Sequence, residues 1–191
     1  MPTMVHRLVV GLGNPGARYA ATRHNVGFMV ADELACGTKA GPWTIRYRSM
    51  VCEATVDGHA VVLAKPLTYM NLSGHAVGVL LAECGCTPEA LILVVDDLNL
   101  PFGRVRVRSR GSAGGHHGLE SVIAALESDA ITRVRLGIGE EEIPADRAGF
   151  VLSEFPAARR RELDEMVRRA AEAVRAIVSE GVEKAMSVYN A

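Results

Sequence analysis

The chain has 191 residues, 49% of them apolar, with 21 Lys and Arg against 22 Asp and Glu for a formal charge of −1. This length and apolar share suit one compact domain spanning residues 1–191 that buries roughly 70% of its unfolded surface without disulfides or metal. A stapled mini-protein and a disordered chain are excluded, and near-neutral charge argues against a protein coated in positive charge for nucleic acid.

Leu8-Val9-Val10 before a glycine turn reads as a buried strand, after which Val26, Met29, Val30 and Leu34 recur at helical spacing. Strand-rich sequence from Ile45 to Val56 joins Ala60–Leu63 through Asp57-Gly58, a strong hairpin signal. A helix is expected over 72–84, with Val77, Leu80 and Leu81 on one face and Ser73 as its N-terminal cap. Leu91–Val95 reads as a strand buried on both faces that ends at Asp96-Asp97. A strand over 104–109, a glycine-rich loop to Gly118, a helix over 119–126 and a strand over 134–138 follow. One long amphipathic C-terminal helix then covers about 157–188, its stripe running through Leu163, Met166, Val167, Ala170, Val174 and Ile177. The alternation predicts an α/β fold with a twisted, mixed sheet flanked by helices. No apolar run approaches the roughly 20 residues of a membrane span. The four cysteines match no zinc spacing, and with no signal-peptide pattern the expected setting is the cytoplasm.

Gly11-Leu12-Gly13-Asn14-Pro15-Gly16 matches the dinucleotide fingerprint literally, but no helix opens directly on it and no acid ends a strand about 20 residues later. The segment reads instead as a tight turn presenting Asn14 and Tyr19. His24 stands at a helix start, and an acid at a buried strand end, Asp96 or Asp97, would fix its tautomer and leave the other ring nitrogen as a base. No nucleophile elbow is present, so a His-Asp pair suggests activation of water, with Asn14 and Asn71 as carbonyl or oxyanion donors. Arg104, Arg106, Arg108 and Arg110 alternate with Val105, Val107 and Ser109; in a strand all four leave by one face, about 6.6 Å apart, a spacing that calls for phosphate. Residues 96–118 carry 4 basic against 2 acidic groups and 119–156 carry 3 against 8, so the charge of −1 is a cancellation between neighbouring segments. Paired His116-His117 sit in the glycine-rich loop without a third ligand at metal spacing.

Together these motifs resemble the bacterial peptidyl-tRNA hydrolase family, esterases of translation that clear stalled peptides from tRNA. The resemblance runs in order through Gly11–Gly16 with Tyr19 and Thr22-Arg23-His24-Asn25, then Lys65–Gly74, Asp96–Gly103, Gly114–Leu119 and Arg135–Gly139. It implies a monomeric, metal- and cofactor-free hydrolase of N-blocked aminoacyl-tRNA, holding the acceptor end and phosphate backbone of its partner. It also implies that His24 is the base, that Asp96 rather than Asp97 orients it, and that Asn14 recognises the blocked amine. Tyr19, Tyr69, Asn71, His116 and His117 then contact substrate, and Arg106 and Arg108 the phosphates. The alternative within the fold is a relative that binds RNA, like plastid splicing factors, without hydrolysis. Two features depart from the family pattern: His117 replaces its usual Asn, and Glu140-Glu141-Glu142 stand where many relatives are basic, trimming phosphate contact there.

Overall fold

The computed structural model describes residues 7–142 and 145–191. β1 (Arg7–Gly11) leads through single 3-10 turns to α1 (Val26–Cys36), followed by β2 (Lys39–Ala40), β3 (Thr44–Arg46), β4 (Ser49–Val56), β5 (His59–Pro66) and α2 (Ser73–Cys84). Then come β6 (Leu91–Pro101), β7 (Val105–Arg108), α3 (His117–Leu126), β8 (Thr132–Gly139), α4 (Arg147–Val151), α5 (Arg160–Glu180) and α6 (Val182–Tyr189). The sheet runs β2-β4-β5-β1-β6-β8-β7, with β3 paired to β4 off that path. β1 lies parallel between β5 and β6, and β8 lies parallel to β6; the remaining pairs are antiparallel, so the sheet is mixed as expected.

The unbroken apolar runs are explained by cover on both faces. Val9, Val94 and Val134 face a core shared with Val30 and Leu34 of α1 and Met166, Val174 and Ile177 of α5. Leu8, Val10 and Leu93 face Val77 and Leu80 of α2 and Val122 of α3. Because α1 follows β1 onto one face and α2 follows β5 onto the other, a crevice opens at the carboxyl ends of these strands, where ligands of open α/β sheets bind.

The glycines of the first motif serve this packing. A methyl group at Gly11 would strike the Gly27 carbonyl, and one at Gly27 would strike the carbonyls of Leu12 and Val94. The first loop therefore lies backbone to backbone on α1. No phosphate cradle is needed to account for these residues.

Several boundaries differ from expectation for local reasons. Asp57 and Gly58 take positive φ, as a tight hairpin requires, but a second hairpin turns on Tyr47 and Arg48, whose φ values of 54° and 55° no residue type there announces. Ser73 does not cap α2; its buried hydroxyl donates to the Met70 carbonyl at 2.8 Å. β6 does not end at Asp96-Asp97 but continues to Pro101, its pairing with β8 turning irregular after Asp97. α3 starts two residues early, at His117, because the His116 ring caps it by accepting the Leu119 N–H at 3.1 Å. The single long C-terminal helix is corrected to α5 and α6, broken at Gly181, whose φ of 92° leaves the helical region. Asn190 then closes the outer edge of β7, its side chain accepting the Val107 N–H at 2.8 Å and donating to the Val107 carbonyl at 3.0 Å. That covers backbone groups an edge strand would otherwise expose. None of the four cysteines is in a disulfide, and no helix among the described residues is long and apolar enough to cross a membrane.

Candidate active site

His24 lies in the 3-10 turn Arg23–Asn25 that opens α1, 8% exposed, and Asp96 lies in β6, 4% exposed. His24 Nδ1 stands 2.8 Å from Asp96 Oδ1, and His116 Nε2 reaches the same oxygen at 2.9 Å. Burial alone would raise the Asp96 carboxyl, but the electrostatic pull and hydrogen bonds of the His116 and His24 N–H groups outweigh it and hold the group well below the usual carboxylate range. Since its folded value lies below its unfolded one, the stability it contributes is full above the ordinary carboxylate range. That stability fades only as pH falls toward the depressed value.

An ionised Asp96 accepts only, so both facing nitrogens must donate. The neutral form of His24 thereby carries its proton on Nδ1 and its lone pair on Nε2, in a ring that lines the cavity. His116 is fixed independently: its Nδ1 accepts from the Leu119 N–H, so its proton sits on Nε2.

This also decides the metal question. His24, Asp96 and His116 bring three potential ligand atoms within 4.8 Å of one another, a constellation that sequence spacing missed because the ligands come from three distant segments. A metal on His116 Nε2 would require that ring to lose both protons while Nδ1 accepts from the backbone, whereas metal-bound histidines normally donate their second N–H. The residues do not fit a resident ion.

Asn14, 7% exposed, is oriented with equal definition. Its backbone N–H donates to Asn25 Oδ1 and its carbonyl accepts from Asn25 Nδ2, both at 2.9 Å. Its side-chain oxygen accepts the Met70 N–H at 2.9 Å. With that oxygen engaged by the backbone, the amide NH2 has no partner among the described residues, so Asn14 presents its two donors to a ligand.

Asn14, His24 and Asp96 share a cavity of about 600 Å³ with Tyr69, Asn71, His116 and His117. Leu98, Leu119, Val151 and Leu152 make much of the wall apolar, and Arg135 and Arg147 also reach it. A cavity of this size, mostly apolar with a few converging polar groups, suits a bound small group rather than a flat contact.

The family model for peptidyl-tRNA hydrolase matches residues 8–191. The chain belongs to the peptidyl-tRNA hydrolase family. The peptidyl-tRNA hydrolase of Desulforudis audaxviator is 48% identical over 186 residues, covering 96% of this chain and 93% of that one. That of Chlorobaculum tepidum is 45% identical over 184 residues, covering 96% and 97%. The crystal structure of peptidyl-tRNA hydrolase from Acinetobacter baumannii superposes with a TM-score of 0.90 at 32% identity, covering 99% of this chain and 96% of that one.

In this hydrolase the other expected residues are not placed alike. Tyr69, Asn71, His116 and His117 reach the cavity. Tyr19 is not among the lining residues; it stays on the turn Ala17–Tyr19 with the Arg18 guanidinium 4.5 Å from its ring. His117 reaches only the mouth, its side chain 75% exposed and paired to Glu120 at 3.1 Å.

The arginine stripe is narrower than alternation suggests. β7 holds only Arg106 and Arg108; Arg104 and Arg110 lie beyond its ends, and Arg110 pairs with Asp129 at 3.1 Å. On the neighbouring strand Arg135 sits opposite Arg106 and Arg133 opposite Arg108, but both of these partners are engaged within the protein. Arg133 is buried and donates to the carbonyls of Gly111, Ser112, Asp129 and Ile131, so it anchors the glycine-rich loop. Arg135 meets Asp97 Oδ2 at 2.6 Å at the cavity edge. Spacing alone did not assign Asn25, the Met70 N–H or the Asp97–Arg135 pair. The one available signal was that Asn25 stands in the same motif as Asn14 and Met70 directly before Asn71.

Proposed function

We propose that this hydrolase cleaves the ester joining a peptide, or any N-blocked aminoacyl group, to tRNA by means of a water deprotonated at His24 Nε2. The water oxygen bonds to the ester carbonyl carbon as its proton passes to His24, and Asp96 stabilises the imidazolium that forms. The tetrahedral oxyanion meets amide donors of Asn14 or Asn71. When the bond to the ribose oxygen breaks, the imidazolium returns its proton to that oxygen, leaving free tRNA and a carboxylic acid. The observation that carries this reading is the buried 2.8 Å bond from His24 Nδ1 to Asp96, which leaves Nε2 as the basic nitrogen in the cavity that Asn14 also lines.

The Asn14 orientation supplies selectivity. The Asn14 NH2 meets the carbonyl of an N-acyl group favourably, whereas a free α-ammonium brings donors of its own against it. The acceptor end enters the cavity of a monomeric enzyme acting in the cytoplasm, while Arg106 and Arg108, which make no ion pair among the described residues, take backbone phosphates. The binding-only alternative has no observation in its favour, since the departure at His117 lies at the exposed mouth and leaves the His24–Asp96 pair intact.

The test is to incubate matched N-acetyl and free aminoacyl-tRNA with the enzyme. The blocked ester is expected to be hydrolysed with kcat/KM higher by about 10² or more, and equal rates would refute the assignment of Asn14. In the same assay, Arg106→Ala and Arg108→Ala are each expected to raise KM and to reduce the slope of log KM against log salt by about 0.7 to 0.9. Slopes equal to the parent's would remove the arginine face from tRNA binding.

A further inference from the structure

Next to the base, in the same turn, lies a second buried cation that the reaction as described does not use. Arg23 is 6% exposed. Its Nη1 donates to Ser153 Oγ at 2.6 Å and to the Glu154 carbonyl at 2.7 Å, its Nη2 lies 3.7 Å from Glu140 Oε1, and its guanidinium stacks 4.3 Å from the centre of the Phe150 ring. Its backbone N–H donates to the Ser153 carbonyl at 3.0 Å, and Thr22 bridges to Glu154. All of these partners except Glu140 belong to α4 and the turn after it. Arg147, Ala148, Val151 and Leu152 of that segment form one wall of the catalytic cavity.

We propose that Arg23 is a positioning residue of this hydrolase, fastening the cavity wall at 147–152 to the turn that carries His24, so that the acyl end of the substrate is held against the base. The chemistry calls for arginine. One planar group bonds two acceptors through one nitrogen, faces a carboxylate with another and stacks on an aromatic ring, which an ammonium cannot do together. Glu140 gains a role that charge counting did not suggest: it sits between Arg23 and Arg159, the latter at 3.1 Å. Arg159 in turn covers Phe102 at 4.1 Å, and Phe102 meets Phe155 at 5.4 Å, so the far end of the wall segment is fixed as well. Because Val151 and Leu152 are apolar, a loosened wall weakens binding most for substrates whose last side chain is large and apolar.

The kinetic half of this proposal rests on His24 being the base; the structural half does not, and the experiment separates them. Arg23→Lys and Glu140→Gln are compared with the parent in steady-state hydrolysis of N-acetyl-leucyl- and N-acetyl-glycyl-tRNA and in amide hydrogen exchange. Arg23→Lys is expected to raise KM for the leucyl substrate by about fivefold or more, with a smaller rise for the glycyl one and kcat little changed. It is also expected to speed exchange at residues 148–154 by about tenfold while α2 and α3 keep their protection. Glu140→Gln shows the same pattern at smaller size and carries the test if Arg23→Lys does not fold. An unchanged KM, unchanged local exchange, or exchange that rises throughout the molecule overturns the proposal. Full activity of His24→Ala would sink the reading of the base and leave the exchange result standing.

Discussion

His24→Ala is expected to lower kcat on N-acetyl-aminoacyl-tRNA by about 10² to 10⁴-fold, with KM within a small factor of the parent's. The loss falls on kcat because, in the proposed mechanism, His24 Nε2 deprotonates the attacking water and does not bind the parts of the substrate that supply affinity. The fold is expected to survive, for a specific reason. Asp96 remains buried after the substitution, but His116 Nε2 still donates to its Oδ1 at 2.9 Å, so the carboxylate is not left without a partner. Single-turnover kinetics together with a melting curve check both halves of the expectation. A normal kcat would exclude His24 as the base.

Asn14→Asp is the second large effect, and its signature is selectivity. The new carboxylate can still accept the Met70 N–H that now reaches Asn14 Oδ1, so the loop geometry is kept. The cavity, however, loses its amide donor and gains an acceptor. Hydrolysis of the N-blocked ester is expected to fall by about 30- to 150-fold in kcat/KM, the equivalent of about 2 to 3 kcal/mol for a lost donor and an acceptor facing a carbonyl. Free aminoacyl-tRNA loses much less, because its ammonium meets a negative charge, and the ratio between the two substrates is expected to narrow by more than about tenfold. Competition between the two tRNA species in one tube measures that ratio directly. A ratio that stays constant would mean that another group reads the blocked amine.

Much of this molecule was legible in its residues because the signals are local. Apolar runs of β1 and β6 are unbroken since both faces of the sheet are covered, and Asp57-Gly58 encodes a turn that only positive φ can make. His24, Asp96 and Asn14 were identifiable as chemical candidates from residue type and their places at element ends. The misses at the site share a cause, which is that they depend on contacts between distant segments. The choice of oxygen by Met70, the lock of Asn25 on Asn14 and the hold of Arg23 on the 147–154 segment span 11 to 131 residues of chain. Period-two alternation correctly put Arg106 and Arg108 on one face but could not tell that β7 is only four residues long, or that β8 brings Arg133 and Arg135 alongside. The break at Gly181 is a different kind of failure: the apolar stripe continues through it, and glycine inside a helical pattern costs too little to announce a new helix by itself. Whole-chain charge was the least informative quantity, since a balance of −1 conceals a basic strand pair beside the site.

In the proposed mechanism Asp96 acts through His24, and a double-substitution cycle on kcat tests that coupling most directly. Asp96→Asn alone is expected to cost about 10² to 10⁴-fold, since a neutral amide neither fixes the Nδ1–H tautomer nor stabilises the imidazolium. With His24 already replaced by alanine, adding Asp96→Asn is expected to change kcat by less than about threefold, because the group it serves is gone. If instead the double variant loses the product of the two single effects, Asp96 and His24 work independently and the His24–Asp96 mechanism is wrong.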